Sequence, residues 1–417
     1  MKTQDARLSH RDFRTETRNL SDSAVIGPAS KDPAVKDPVS LAELALVFLK
    51  LGTIAFGGPV AHFAMMEDEF VRKRGWITEE DFLDRVAAAS LIPGPSSTEV
   101  CIFIGRSLGG WRGLIVAGAC FIIPAAVLVT LIAAAYVHFG SLPQVEGILR
   151  AIKPAVIAII VQALWNLGKT AAKTWVLAVI GAAAAVLNFV GVSPLLVLMI
   201  AGGSSGIVRW VQKSGRNPAA LCGVFWSKVF LPAGLTAVAV AAAAPIRLGR
   251  LFLSFLKIGS LVFGSGYVLL AFLRAEFVDH LHWLTEKQLI DSVAVGQFTP
   301  GPVFTTATFI GYLAGGLPGA AVATLGIFLP GFIFVAISGP LIPKIRRSAA
   351  AGAVLDGVVV GSLALIAVVA WQLGKASITD WLTISILAIS VILIFRFKIN
   401  SAWLILGAGV VGWVAKG

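Results

Sequence analysis

The sequence predicts an all-α polytopic membrane protein. It is built from two inverted repeats of about six membrane segments each, with broken or re-entrant helices and one linker helix. Three observations predict this fold. The 417-residue chain is 57% hydrophobic and 13% charged, with a mean hydropathy of +0.87, whereas soluble domains carry about 25% charged residues. Apolar runs of about 20 residues, enough to cross a bilayer as a helix, recur from Leu41 to the C-terminus. The chain also says the same thing twice. Phe48-Leu49-Lys50-x-Gly52-x₃-Phe56-Gly57 returns as Phe255-Leu256-Lys257-x-Gly259-x₃-Phe263-Gly264, and at an offset of 207 identity holds at 20 of the 51 positions from Phe48 to Thr98. That density marks a duplication rather than shared composition. After a one-residue deletion the match continues through Gly109-Gly110/Gly315-Gly316, Pro124/Pro330 and Gly168-Lys169/Gly374-Lys375.

Taken in order, residues 1–40 are polar, carry the steps Asp32-Pro33 and Asp37-Pro38, and lack an apolar h-region. They read as a disordered cytoplasmic tail and not as a signal peptide. Residues 41–212 form the first repeat, 213–247 a linker with one membrane helix, and 248–417 the second repeat. The 13 expected spans fall near 41–64, 86–105, 113–138, 151–168, 174–190, 194–212, 222–243, 250–272, 288–310, 318–342, 353–371, 376–395 and 401–416. Equivalent spans are thus seven crossings apart. Seven is odd, so the repeats sit upside down relative to one another. Short basic loops such as Arg209/Lys213/Arg216 and Lys344/Arg346/Arg347 fit a cytoplasmic N-terminus under the positive-inside rule. Arg72-Lys73-Arg74 falls on the wrong side unless the Pro93-Gly94-Pro95 segment re-enters.

The net charge of +12 sits in those loops rather than on one face, so it argues for a bilayer partner and against nucleic acid. Cys101, Cys120 and Cys222 all lie in apolar segments and form no disulfide or metal pattern. No phosphate-binding loop, zinc spacing or nucleophile constellation occurs. The expectation is a non-enzyme without metal or cofactor.

Pro-Gly-Pro inside an apolar run is the strongest local signal. Proline removes a donor and clashes with the preceding turn, and glycine accepts backbone geometry closed to other residues. Pro93-Gly94-Pro95 and Pro300-Gly301-Pro302 should therefore break their helices at mid-membrane depth, which is tolerated only where backbone is buried in protein or lines a cavity. Pro95 and Pro302 suit the first position of the restarting helix. The free N–H groups beyond them, with Ser96 and Thr98 in one half and Thr305 in the other, would cradle an anion. Phe56-Gly57-Gly58-Pro59, echoed loosely by Phe263-Gly264-Ser265-Gly266, reads as a second break or as close helix packing.

Lys50 and Lys257 stand at matched positions within apolar spans. There they supply positive charge to a substrate or snorkel to the interface. Glu69/Glu276 and Asp84/Asp291 are matched acids, read as carriers of coupling protons or as loop charges. His62 has no counterpart, Leu269 standing in its place. It titrates near neutrality or packs.

These residues resemble the chromate ion transporter family. The family's marks appear as Phe56-Gly57-Gly58-Pro59, His62, Glu69, Trp76 and Pro93-Gly94-Pro95, then as a weaker copy at Phe263-Gly264, Glu276, Trp283 and Pro300-Gly301-Pro302. The resemblance covers nearly all of the chain after residue 40. It implies a multi-pass protein of the bacterial inner (plasma) membrane that exports chromate, gives chromate resistance and draws on the proton gradient. The second copy's Phe-Gly-Ser-Gly departs from the pattern. Sulfate-type oxyanion uptake, a non-transporting scaffold and a homodimer stay open.

Overall fold

The computed structural model describes residues 39–56, 58–140, 142–171, 173–213, 247–263, 266–338 and 348–416. The expected linker helix at 222–243, the tail before residue 39, the loop Lys344/Arg346/Arg347, Gly57 and Gly264 lie outside them. Among the described residues every regular element is helical.

Each repeat opens with a helix too short to cross a bilayer. α1 (Leu41–Ile54) starts on the Ser40 hydroxyl, which accepts the Glu43 N–H at 3.1 Å. Its 14 residues reach about 21 Å at 1.5 Å per residue, against a hydrocarbon core of about 30 Å. The chain turns back through extended Ala55 into α2 (Gly58–Glu67), whose first residue takes φ +78°, and ends in a π-helical turn at Asp68–Lys73. α3 (Glu79–Ala89) follows, capped by Thr78.

α4 (Ser96–Phe139) is a hairpin rather than a rod. Gly109 and Gly110 leave helical geometry, with Gly110 at φ +59°. The arms then pack so closely that a Cβ on Gly105 would strike the Gly113 carbonyl and Ala117. α5 (Pro143–Ala171), α6 (Trp175–Phe189) and α7 (Pro194–Lys213) complete the repeat.

The second repeat copies this course. α8 (Leu248–Leu261), α9 (Val268–Leu273) with its π-helical turn Arg274–His280, and α10 (Glu286–Phe298) precede a 3₁₀ turn at Val303–Thr305 and the hairpin α11 (Thr306–Ser338). α11 bends at Gly315 and Gly316, the latter at φ +61°. α12 (Ala349–Ser377), α13 (Trp381–Phe397) and α14 (Ser401–Lys416) close the chain. α1 packs on α4, and α8 on α11. A Cβ on Gly52 would sit 2.5 Å from the Phe121 carbonyl oxygen, and one on Gly259 would meet the equivalent Ile327 carbonyl. The duplication is therefore in the packing as well as in the sequence.

The long arms of the two hairpins, after Gly110 in α4 and after Gly316 in α11, run antiparallel. Arg106, beside the α4 turn, donates to the Val335 and Ala336 carbonyls at the end of α11, at 2.6 and 2.7 Å. Tyr136, at the end of α4, stacks edge-on against Phe309 at the start of α11, with centroids 5.3 Å apart. Both helices are long and apolar enough to cross a membrane. Equivalent crossing helices that point in opposite directions are what inversion means. The outer helices interlock as well, with α5 packed on α13 and α14 and α12 packed on α6 and α7.

Several expected spans are not single helices. The stretch 41–64 is α1 and α2, 250–272 is α8 and α9, and 86–105 and 288–310 are cut at their Pro-Gly-Pro segments. A hydropathy window sums side chains and does not register a backbone break. Pro95 takes the N-cap rather than the first helical position, and Pro302 caps a 3₁₀ turn.

Candidate functional site

Both Pro-Gly-Pro segments break the helix, and each docks on the other repeat. Gly94, at φ +136°, donates its N–H to the Val262 carbonyl at the end of α8, at 2.8 Å. Gly301, at φ +88°, donates its N–H to the Ala55 carbonyl at the end of α1, also at 2.8 Å. These φ values suit glycine and strain other residues. The carbonyl left over where each half-helix stops is thus met by the freed N–H of the opposite break. The second break has no room to spare, since a Cβ on Gly301 would lie 2.7 Å from Ala125 Cβ and 3.3 Å from the Gly52 carbonyl.

Around the first break Pro93 and Ser96 are half-buried, whereas Gly94, Pro95, Ser97 and Thr98 are buried. The Thr98 hydroxyl is buried, with no hydrogen-bond partner among the described residues. In the second break Thr305 and Thr306 are buried and donate to the Pro302 and Val303 carbonyls. The side chain of His62, on α2, is buried, and its Nε2 lies 3.0 Å from the Ala55 carbonyl. Its ring meets Phe121 edge-on, which puts it beside the second repeat's break although it belongs to the first repeat. Gly58 and Pro59 form the first turn of α2.

The matched charges are brought together in pairs. Lys50 Nζ lies 3.3 Å from Glu69, which also accepts from Arg74 Nε at 2.9 Å, and Arg74 reaches Glu43 at 2.6 Å. Lys257 Nζ lies 2.9 Å from Glu276, which accepts from the Ser254 hydroxyl at 3.0 Å. Both lysine side chains are about half exposed while their acids are largely buried. Asp84 and Asp291 have diverged. Asp84 is exposed on α3, but Asp291 is fully buried on α10, 3.1 Å from Lys153 Nζ and 3.0 Å from the Tyr136 hydroxyl, which donates to it.

One residue escapes the sequence reading. Glu99, in the first turn of α4, is 0% exposed, and neither carboxylate oxygen has a hydrogen-bond partner among the described residues. Its Oε1 lies where a Cβ on Gly94 would go, and its Cγ would lie 3.7 Å from a Cβ on Gly331 of α11. The acid therefore fills the space between the first break and the opposite repeat. Repetition could not find it, because the second repeat has threonines at this point. The available signal was an acid in the first turn after Pro-Gly-Pro, at Glu99 beyond Ser96-Ser97-Thr98, in an otherwise neutral run. Among the described residues no cluster of His, Cys, Asp and Glu could hold a metal.

Two interlocked inverted repeats, meeting at broken helices lined by buried polar groups, define a polytopic membrane transport protein. The sequence profile of the chromate transporter family matches residues 42–207 and again 249–413, and the chain belongs to that family. It is 31% identical to the chromate transport protein of Cupriavidus metallidurans, over 90% of this chain and 93% of that one. It is also 31% identical to the chromate transport protein of Pseudomonas aeruginosa, over 91% and 94% of the two chains. An uncharacterized transporter of Methanocaldococcus jannaschii is 28% identical over 90% and 94%. No solved structure matches the chain.

Proposed function

We propose that this protein is a secondary active transporter that exports chromate from the cytoplasm across the bacterial inner membrane, uses the proton gradient and confers chromate resistance. The observation that carries this reading is the reciprocal docking of the two Pro-Gly-Pro breaks, Gly94 on Val262 and Gly301 on Ala55. It gives two helix starts at the meeting of two repeats, in a chain similar to chromate transport proteins over its length.

Chromate is a tetrahedral oxyanion, a dianion near neutral pH. Leaving water is costly for it unless charge or several donors replace the hydration shell. The first-turn N–H groups beyond Pro95 and Pro302, with Ser96, Thr98 and Thr305, supply donors, and Lys50 and Lys257 supply charge. Gly58, Pro59 and His62 close the site on the α1–α2 side, and Gly57 stays a candidate from the sequence motif alone. For a dianion leaving an inside-negative cell, the potential contributes about 2.3 kcal/mol per charge per 100 mV. Exchange against an incoming proton adds to this drive. Glu69, Glu276, Asp84 and Asp291 are the candidates that the sequence offers for carrying that proton.

Uptake of labelled chromate into inverted membrane vesicles tests the reading. Accumulation should exceed that of vesicles lacking the protein and should rise when the lumen is made acid. Accumulation only in right-side-out vesicles would make the protein an importer, and competition by sulfate there would point to sulfate-type uptake. No accumulation in either orientation would overturn transport of chromate.

A further inference from the structure

We propose that Glu99 is the group through which a proton competes with the oxyanion: protonated, its side chain folds into the break beside Gly94 and occupies the cradle; ionised, it leaves and the oxyanion takes its place. The inference deepens the transport reading above and rests on it. Three observations carry it. Glu99 is completely buried, and among the described residues neither of its oxygens has a hydrogen-bond partner. Its carboxyl lies against the Gly94 backbone, at the helix start where the anion cradle is expected. The Thr98 hydroxyl beside it is buried too, and among the described residues these three polar atoms on consecutive residues have no hydrogen-bond partner.

Among the described residues no fixed charge is placed to hold an ionised Glu99 here. α11, which faces it through Gly331, carries no charged residue. Arg106 on its own helix is turned to the Val335 and Ala336 carbonyls. On the other elements packed against α4, Glu43, Lys50, Arg85 and Asp291 are paired with Arg74, Glu69, Asp81 and Lys153. His62 meets the Ala55 carbonyl. A buried carboxylate without a partner is far costlier than the neutral acid. The packing seen here therefore suits the protonated form, and ionisation drives the side chain out to water or to a cation. A dianion entering the vacated space finds the N–H groups at the start of α4 and the Thr98 hydroxyl. Proton and oxyanion then exclude one another from one cradle, which is the linkage an exchanger needs. The second repeat has no such plug, because its threonines bond their own backbone.

Proton release on binding tests this. The full chain, purified and weakly buffered above the pH at which chromate itself takes up a proton, is mixed with chromate in the presence of a pH indicator. Bound chromate is measured in parallel. Wild type should release up to about one proton per chromate bound, and its affinity should fall by roughly tenfold per pH unit once acidification protonates the linked group. Glu99→Ala should bind chromate with no proton release and at the affinity of the high-pH wild type. Glu99→Gln, which keeps a neutral plug, should bind weakly at every pH. Glu99→Asp should restore part of the release. Chromate binding without proton release in wild type, or release that persists in Glu99→Ala, overturns the role of Glu99 and leaves transport standing. Failure of wild type to bind chromate at all overturns the transport reading itself.

Discussion

Asp291 and Lys153 offer the sharpest test of how the repeats are held together. Asp291 is wholly buried and the Lys153 side chain is 11% exposed, with 3.1 Å between them. Asp291 sits in the second repeat and Lys153 on α5 of the first, so the pair ties the repeats across their interface. Removing one partner of such a pair leaves an uncompensated charge and costs about 3–5 kcal/mol, whereas replacing both is often close to neutral. Lys153→Met should therefore lower the melting temperature of the purified protein by roughly 6–10 °C, at about 2 °C per kcal/mol for a large domain. Lys153→Met combined with Asp291→Asn should recover most of that loss, because the amide still accepts the Tyr136 hydroxyl. A double-mutant cycle read by thermal unfolding in detergent checks this. The expected coupling is about 2 kcal/mol or more, within the range for residues in direct contact. Additive losses, with the double variant falling by the sum of the singles, would refute the reasoning.

Four further outcomes are expected. With Cys101, Cys120 and Cys222 replaced, Gly109→Cys and Gly315→Cys should label from opposite sides of the membrane; labelling from one side would contradict the antiparallel course of α4 and α11. Gly301→Ala should destabilise more than Gly94→Ala in melting experiments. Both bear about 1–2 kcal/mol for a left-handed backbone. Gly301 adds about 1–3 kcal/mol of overpacking against Ala125 Cβ and the Gly52 carbonyl, which cannot step aside, whereas on Gly94 the methyl group meets the end of the flexible Glu99 side chain. Glu69→Gln and Glu276→Gln should each shift stability by less than about 1 kcal/mol, since their lysine partners are half exposed. Lys50→Gln should weaken chromate binding roughly tenfold or more while Lys50→Arg keeps it, the scale of one charge-assisted hydrogen bond; equal affinities in vesicle uptake would remove Lys50 from the site.

Much of the fold was legible in the sequence, and the reasons are particular. Hydropathy is additive along a chain, so the membrane class followed from composition. The duplicated glycines and prolines carry their meaning in the backbone: Gly109-Gly110 and Gly315-Gly316 turn their helices, and Gly94 and Gly301 break them, because no other residue takes those φ values cheaply. What repetition could show was limited to what both halves kept. Lys50 with Glu69 and Lys257 with Glu276 are matched in the sequence, but that each lysine pairs with its own repeat's acid is a matter of how α1 and α8 fold back on the segments after them. The matched pair Asp84 and Asp291 hid a difference that burial alone created. Glu99 and Lys153 have no acid or base at the matching point, so neither was singled out.

The sequence by itself determined the class, the duplication and the places where helices must stop, since each depends on local composition or on a backbone rule read residue by residue. Only the tertiary structure decided that the first break closes on Val262 and the second on Ala55, that α5 and α12 each pack on the other repeat's outer helices, and that Glu99 is sealed against Gly94 and Gly331. Glu99 on Gly94 apart, these depend on residues more than a hundred positions apart meeting in space. Burial and pairing are properties of that meeting and not of the chain order.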